Sequence, residues 1–303
     1  MDRLIEEFQQ DARIRGVTDL TIKNYGYSLN AFERFLQDQG IGLISVDRTA
    51  IRAYIEHLRK NGRSAKTIIN HLAALASFYE YLVYEERIAA NPVKAVQKRY
   101  GAVYKNDSEK QTYKLISVED AIRLVDSAVD IRDRAIILLL LKTGIRKGEL
   151  ITIDLEDIDC SNQSILLKPK KKRANRLVFF DDETAIALRH WIAARKNRDR
   201  NGSKALFITL QGRISSPAVD YIIRQAALRA GLHDLRSSRM EDHFSAHCCR
   251  HWFTTHMRRA GMPREFIQEL RGDVRREAID IYDHIDKNEL RESYLAHIPQ
   301  LGG

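Results

Sequence analysis

The length, composition and charge of the chain limit the classes of protein to which it can belong. Its 303 residues are enough for two domains that each bury a core, so the fold needs no disulfide or metal to hold it. The 50 Lys and Arg residues against 41 Asp and Glu residues give a formal net charge of +9, which favours a polyanionic partner. The 3 cysteines are an odd set without a Cys-x-x-Cys motif, which argues against a disulfide framework and a structural zinc site.

The first residues and the longest apolar run bear on where the protein works. Acidic residues such as Glu6 and Glu7 interrupt the first turns, so we expect no secretory signal peptide. The longest apolar run, residues 135–141, is far too short to cross a bilayer. The sequence therefore predicts an intracellular, cytoplasmic protein without membrane contact.

Residues 1–92 are predicted to be helical throughout. Apolar residues recur at helical spacing, most clearly in a long second helix over residues 21–39. Asp47 and Ser64 are the expected N-caps of a third and a fourth helix, because their side-chain oxygens can accept from unpaired backbone N–H groups. Four amphipathic helices predict a small bundle with an apolar core.

Residues 93–113 are predicted to form a basic linker. Asn91-Pro92 ends the fourth helix, because proline disfavours a helical residue before it. The segment then shows no clear apolar period and carries more Lys and Arg than acid. Such a segment can follow a DNA backbone or serve as a solvated hinge, and both interpretations stay open. A second domain is expected over residues 114–303.

The second domain is predicted to begin with helices. Ser117 starts a short helix, and the next helix, residues 131–142, is apolar on all sides and should be buried at the centre of the domain. Gly144 ends that helix, and Arg146 follows at the start of another. A charge in this position needs a partner, and Glu149 is one candidate. A structural role and a functional role for Arg146 are therefore both open.

Three short strands are predicted at residues 157–160, 164–168 and 176–180, forming a small antiparallel sheet. The hairpin between the second and third strands carries a basic tip without any acid. Its basic residues are Lys168, Lys170, Lys171, Lys172, Arg173 and Arg176. A hairpin of this kind can contact DNA, although a solvated charged loop is the alternative.

A helix beginning at His247 carries the strongest chemical signal in the C-terminal part. His247 and Arg250 lie three residues apart, so they share one helix face. An arginine fork binds two phosphate oxygens, and a histidine beside it can hydrogen-bond a third oxygen or move a proton. Tyr282 is the candidate oxygen nucleophile. By themselves, Tyr282 could be a core aromatic and Arg250 could pair with Glu241 or Asp242.

Three separated motifs resemble those of the tyrosine recombinase (phage integrase) family. Residues 143–150 match the pattern T-G-x-R-x-x-E-L, and residues 247–250 match H-x-x-R. Tyr282 lies nine residues after Asp273, the position that the family fills with the histidine of L-G-H or with tryptophan. The resemblance implies a mainly α fold with a small antiparallel β-sheet. An N-terminal four-helix, SAM-like core-binding domain would precede a C-terminal mixed α/β catalytic domain.

The resemblance also implies a reaction, in which DNA strands are cut and rejoined without a cofactor or metal. Tyr282 would attack a backbone phosphate and form a 3′-phosphotyrosyl intermediate, while Arg146 and Arg250 clamp the phosphate oxygens. Lys171, five residues before the arginine that begins the third strand, would protonate the leaving oxygen, with Lys170 and Lys172 as alternatives. His247 would assist proton transfer. Lys168, Lys170, Lys172, Arg173 and Arg176 would contact DNA.

The implied partners are double-stranded DNA with specific recombination sites, a tetramer of the chain on that DNA, and an accessory DNA-bending protein. The protein would then work on the nucleoid. Part of the tail has more apolar side chains than a free end should expose. These are Leu290, Tyr294, Leu295, Ile298 and Leu301. In the family, such a helix docks on a neighbouring protomer, and we expect the same here.

Three other functions fit part of the sequence. A type IB topoisomerase shares the nucleophile and the cations, and a DNA-binding relative that has lost activity would explain Asp273. A metal-dependent transposase would use carboxylates, for which Asp154, Glu156, Asp157 and Asp159 are candidates, although we expect these acids to be surface or turn residues. An ionised Asp273 would repel a phosphate. We therefore expect it to be turned away, toward Arg271 or Arg275, or to be protonated.

Overall fold

A computed structural model describes residues 3–109, 114–168, 175–237, 239–273 and 285–302. The chain divides into two compact units, Met1–Thr112 and Tyr113–Gly303, and each unit has its own hydrophobic core. The described residues are mainly helical and include two small antiparallel sheets, so the predicted fold class is confirmed. No helix in these ranges is long and apolar enough to cross a membrane.

The first unit contains the four predicted helices and a fifth. They are α1 (Arg3–Ile14), α2 (Asp19–Asp38), α3 (Arg48–Lys60), α4 (Ala65–Tyr84) and α5 (Pro92–Glu109). Both predicted caps are confirmed, since Asp47 accepts from the Ala50 N–H at 2.8 Å and Ser64 accepts from the Thr67 N–H at 3.2 Å. Aromatic residues contributed by different helices meet in the core, where the rings of Phe32 and Tyr54 lie 4.8 Å apart.

Helix α5 corrects the prediction that a linker begins at residue 93. Val93 and Val96 are buried against the bundle, so this part of the segment belongs to the first unit. The Asn91 side chain caps the turn by accepting from the Val93 N–H at 2.9 Å. Pro92 is the first residue of the new helix, where its missing N–H costs nothing because a helix leaves its first N–H groups unpaired.

The second unit contains eight helices and five short strands among its described residues. The helices are α6 (Val118–Asp126), α7 (Ile131–Thr143), α8 (Lys147–Leu150), α9 (Asp182–Arg198), α10 (Ser216–Arg229), α11 (Ala246–Arg259), α12 (Arg264–Arg271) and α13 (Lys287–His297). The strands are β1 (Ile158–Asp159), β2 (Ser164–Leu167), β3 (Arg176–Phe179), β4 (Ile208–Thr209) and β5 (Gly212–Arg213).

Helix α7 is the centre of the second unit, as predicted. Every residue from Ala135 to Thr143 is buried, and α9 and α11 pack against the helix. The predicted three-stranded sheet is confirmed with the antiparallel order β1-β2-β3. Leu167 pairs with Arg176, so the basic tip connects two strands whose register is fixed by backbone pairing. Strands β4 and β5 form a second hairpin that the sequence did not predict.

The C-terminal tail packs on its own chain in this structure, and its expected docking on a neighbouring protomer stays a prediction. Leu290, Tyr294 and Ile298 are buried, and the Tyr294 hydroxyl donates to the Lys142 carbonyl at 3.1 Å. Lys142 is itself fully buried, where it contacts Asp181 at 2.5 Å, Glu183, and the Pro299 carbonyl at 2.7 Å. A buried ammonium group is stable only with such partners, so this cluster holds the tail in place.

Candidate active site

The first site residue, Arg146, is positioned by the sharp end of α7. Gly144 has φ of 60°, which favours glycine, and a Cβ there would overlap the Phe253 ring. The chain therefore turns tightly and places Arg146 at the N-cap of α8, as predicted. The Arg146 backbone N–H donates to Glu149 Oε2 at 2.7 Å, which fixes the start of the short helix.

Glu149 and Arg176 form a buried ion pair behind Arg146. The Arg176 guanidinium donates to both Glu149 oxygens at 2.9 Å and to the Leu270 carbonyl at 3.0 Å. Burial raises the pKa of Glu149, but hydrogen bonds from Arg176 and from the Arg146 backbone outweigh burial and lower it to about 2. Glu149 also lies 3.5 Å from Arg146 Nη1, so this acid orients both arginines.

The position of Arg176 corrects its predicted role as a DNA contact. Its side chain is 7% exposed, because strand β3 directs it inward beneath α12 rather than toward the hairpin surface. A Cβ at Gly272 would lie 2.7 Å from Arg176 Nη1, so the loop after α12 closes directly over the guanidinium. Arg176 therefore lies in the interior behind Arg146, and its charge is neutralised by Glu149.

Arg250 lies on α11 and is almost fully enclosed. Its guanidinium donates to the Gly144 carbonyl at 2.7 Å and to the Arg271 carbonyl at 3.0 Å. Burial and the charges of Arg146 and Arg271 lower the pKa of Arg250 to about 9, which leaves it charged at neutral pH. Arg146 Nη1 donates to the same Arg271 carbonyl at 3.0 Å. The two arginines are thus held side by side by the C-terminus of α12.

His247 lies one turn before Arg250 on α11. Its ring meets the ring of His251 edge to face, with centroids 4.9 Å apart. Burial, the neighbouring His251 and the cations Arg250, Arg271 and Arg146 lower the pKa of His247. A histidine with a lowered pKa is neutral at pH 7, so His247 can accept a proton there.

Asp273 lies between the two arginines, which corrects the expectation that it is turned away. Its Oδ1 atom accepts from Arg146 Nη2 at 3.2 Å and from Arg250 Nη2 at 3.0 Å. Its Oδ2 atom lies 3.1 Å from Arg271 Nε, so the predicted contact with Arg271 is also present. The alternative in which Arg250 pairs with Glu241 or Asp242 is replaced by this contact with Asp273.

The arginines open onto a cleft of about 390 Å³. Its lining residues are Ile145, Arg146, Lys147, Gly148, Asp220, Ser245, Ala246, His247 and Arg250. The N-terminus of α11 lies at its wall, and unpaired backbone N–H groups at a helix N-terminus favour an anion. Lys147 also lines the cleft, where its charge is paired with that of Asp220 on α10. The cleft therefore suits an anionic group such as phosphate.

The base of the hairpin holds a separate charge cluster. Lys168 Nζ lies 2.5 Å from Asp154, 3.2 Å from Asp157 and 3.5 Å from Glu156. The hydrogen bond to Asp154 is the main cause of a raised pKa for Lys168. These acids are thus engaged in stabilising the turn, and so is Asp159, which accepts from two backbone N–H groups at 2.9 Å.

Several predicted site residues fall outside the described ranges. They are Lys170, Lys171, Lys172, Arg173 and Tyr282. The described residues that the structure does bring together are Arg146, His247 and Arg250, although Arg146 precedes the other two by more than 100 residues in sequence. Among described residues, no group of His, Cys, Asp and Glu is arranged to hold a metal ion.

Sequence reasoning named Arg271 only as a partner for Asp273, without the contacts of its carbonyl with Arg146 and Arg250, and it missed the Lys147–Asp220 pair. Arg271 lies at the last residue of α12, where basic residues are common because they suit the negative end of the helix dipole. That position therefore gave no reason to expect a role in the cleft. Lys147 follows Arg146 directly, so its position was visible, whereas its partner Asp220 lies 73 residues away.

Two family models match the chain and together span most of it. Residues 108–289 match the model described as the phage integrase family. Residues 5–86 match the model described as the phage integrase, N-terminal SAM-like domain. The second match lies within the predicted helical region, residues 1–92, and the first begins in the predicted linker and covers most of residues 114–303.

Curated relatives and solved structures agree with these models. The chain is 30% identical to tyrosine recombinase XerC of Psychromonas ingrahamii, covering 92% of this chain and 90% of the relative. It is 29% identical to tyrosine recombinase XerC of Bacillus subtilis, covering 94% and 92%. A lambda integrase tetramer bound to a Holliday junction has a similar fold, with a TM-score of 0.70 and 17% identity over 94% of this chain and 78% of that one.

Proposed function

We propose that this chain, which belongs to the phage integrase family, uses its arginine cleft to exchange DNA strands. It is a tyrosine-type site-specific DNA recombinase. The proposal concerns which residues carry out the reaction, which residues contact DNA, and how the chain assembles on DNA. The topoisomerase and the inactive relative considered above are not favoured by the similarity to XerC over nearly the whole chain.

One observation carries the proposed site. Arg146 Nη2 and Arg250 Nη2 converge on a single carboxylate oxygen, at 3.2 and 3.0 Å. A non-bridging oxygen of a backbone phosphate has the same charge and hydrogen-bonding capacity, so it can bind where that oxygen lies. Both guanidinium groups are fixed in advance by backbone carbonyls, so they need little rearrangement when negative charge grows on the phosphate.

In the proposed reaction, the oxygen of Tyr282 attacks the scissile phosphorus while the bond to the 5′-oxygen breaks. The product is a 3′-phosphotyrosyl link and a free 5′-hydroxyl. His247 takes the phenol proton, for which its lowered pKa prepares it. Lys171 supplies the proton of the leaving oxygen. A 5′-hydroxyl from another strand then attacks the phosphotyrosyl link and releases Tyr282. The phosphodiester bond is thus formed again without hydrolysis.

The proposal also assigns the parts of the chain and its partners. The first unit and the tip residues Lys170, Lys172 and Arg173 would bind double-stranded DNA containing specific recombination sites. Lys168 would join them only by leaving its acidic partners. The chain would act as a tetramer on two sites in the cytoplasm, on the nucleoid, with an accessory DNA-bending protein as a further partner. The tetrameric lambda integrase complex supports the assembly by likeness of fold.

A covalent-adduct assay tests this function. A duplex selected for binding from a random pool is nicked so that cleavage releases a short strand and traps the intermediate. Wild-type protein should form a covalent adduct, with or without EDTA, and Tyr282→Phe should bind the duplex without forming one. Arg224→Met, which changes an exposed arginine on α10, is the matched control and should behave as wild type. An adduct that persists in Tyr282→Phe would show that another residue is the nucleophile.

A further inference from the structure

The carboxylate of Asp273 occupies the place where the proposed reaction needs a phosphate. Its Oδ1 atom accepts from Arg146 at 3.2 Å and from Arg250 at 3.0 Å, so one oxygen bridges the two guanidinium groups. The second oxygen lies 3.1 Å from Arg271 Nε. Two anions cannot share this position, because their repulsion is strong in a partly buried site.

The surrounding charges show that Asp273 does not cancel the attraction of the site for an anion. Arg176 is matched by Glu149 through two hydrogen bonds of 2.9 Å, so that pair contributes no net charge. Three guanidinium groups, those of Arg146, Arg250 and Arg271, then face one carboxylate. The net formal charge of this group is +2, the same as that of the two clamping arginines alone. Arg271 therefore compensates for the acid.

Asp273 is also placed so that it can leave. Its side chain is 30% exposed, while the Arg250 side chain behind it is 4% exposed. Arg271 is exposed to the same extent as Asp273 and stays within 3.1 Å of its second oxygen. A rotation that breaks the two Oδ1 contacts can keep the Arg271 contact, so the carboxylate need not lose all its partners when it moves.

We propose that Asp273 is an internal substitute for the scissile phosphate. In the protein without DNA, it holds Arg146 and Arg250 together and prevents them from repelling each other. When a phosphodiester enters the cleft, Asp273 turns to Arg271 and releases the clamp. The inference rests on the proposed function, in which Arg146 and Arg250 bind the scissile phosphate, and it adds Asp273 and Arg271 as positioning residues for that step.

Binding of inorganic phosphate to the full chain tests the proposal without DNA. Both tryptophans, Trp191 and Trp252, are buried in the second unit, so intrinsic fluorescence reports unfolding of that unit alone. The stabilisation by phosphate, measured against chloride at equal ionic strength, gives the phosphate affinity. Asp273→Asn keeps the shape and removes the charge, and it should bind phosphate at least about tenfold more tightly than wild type, because one competing charge is gone.

Two matched variants locate the effect. Glu265→Gln makes the same charge change at an exposed position of α12 and should bind phosphate as wild type does. Adding Arg250→Gln to Asp273→Asn should abolish the gain, because one arm of the clamp is lost. The proposal is overturned if Asp273→Asn binds phosphate no more tightly than wild type, or if Glu265→Gln gains as much.

Cleavage of the nicked duplex supplies a second readout. Asp273→Asn should bind the duplex more tightly, while its maximal single-turnover rate stays within about threefold of wild type, because the substitute acts before the chemical step. A maximal rate as low as that of Arg250→Gln would overturn the proposal by showing that Asp273 takes part in the chemistry. If wild type forms no adduct at all, the proposed function fails, and the phosphate measurement still decides the role of Asp273.

Discussion

Replacing Arg176 with methionine should destabilise the second unit by about 3 kcal/mol at neutral pH. The change leaves Glu149 buried without its main partner, and breaking a buried ion pair by removing one member costs about 3 to 5 kcal/mol. The pKa of Glu149, which reflects burial, Arg176 and Arg146 together, gives a value of the same order. Each tenfold change in proton affinity is worth about 1.4 kcal/mol, so a fall from 4.5 to about 2 corresponds to about 3 kcal/mol.

The pH dependence of this effect has a defined sign. The pKa of Glu149 is lower in the folded protein than in the unfolded chain, so its stabilisation is complete above about pH 4.5 and is lost as the pH falls toward 2. In the Arg176→Met protein, the hydrogen bonds from Arg176 no longer offset burial. The pKa of Glu149 should therefore be higher than in wild type, and the neutral acid is favoured. The difference in stability between wild type and mutant should therefore be largest at pH 7 and should shrink at pH 3.

Urea unfolding followed by tryptophan fluorescence measures this difference, since Trp191 and Trp252 both lie in the second unit. In a thermal scan, a loss of about 3 kcal/mol corresponds to roughly 6 to 12 °C for a unit of this size. The matched control is Arg224→Met, at an exposed position of α10, which should change stability by less than about 0.5 kcal/mol.

A double variant keeps the prediction testable if the single variant unfolds. Replacing a buried ion pair with apolar residues of similar volume is often neutral, so Glu149→Leu with Arg176→Met should recover much of the lost stability. The reasoning is refuted if Arg176→Met is within about 0.5 kcal/mol of wild type at pH 7. It is also refuted if the difference between the two proteins stays constant down to pH 3.

Three further predictions concern the turn, the tail and the histidine. Gly144→Ala should destabilise the second unit by more than about 1 kcal/mol in urea unfolding, because φ is 60° and the new Cβ would overlap the Phe253 ring; an unchanged midpoint would contradict this. Leu290→Ala should lower the free energy of unfolding by about 2 to 5 kcal/mol, and Leu295→Ala by less than about 1 kcal/mol, because Leu290 is buried and Leu295 is exposed. Equal losses of stability would mean that the tail does not pack in this way. Single-turnover cleavage should fall as the pH drops below about 6.5, with its midpoint below that value, because the pKa of His247 is lowered and only the neutral ring accepts a proton. His247→Gln should lose this pH dependence, and a midpoint above about 6.5 would contradict the assignment.

The elements that sequence predicted well are those whose signals are local. Helix α7 was found because an apolar run on all sides fits only a buried helix, and Gly144 marked its end through a backbone angle that glycine favours. The caps at Asp47 and Ser64 act on N–H groups three residues away. In each case, the residues that make the interaction are close together in the chain.

The errors have two physical causes. Pro92 stops one helix, but it also begins the next, and the two buried residues Val93 and Val96 are too few to show an apolar period. Arg176 sits beside a basic run, and its partner Glu149 lies 27 residues away, so composition suggested a surface role. The orientation of Asp273 depends on Arg146, 127 residues away, which no local pattern encodes.

The acid that each arginine binds explains why two similar side chains have different roles. Arg176 and Arg250 are both buried, and each donates to a backbone carbonyl near the end of α12, at 3.0 Å in both cases. Arg176 binds Glu149, which is 7% exposed and also caps α8, so that acid cannot move without unfolding the turn. Arg250 binds Asp273, which is 30% exposed and whose side chain caps no helix among the described residues. In the proposed reaction, only the second arginine exchanges its carboxylate for a phosphate, because its acidic partner is exposed enough to leave.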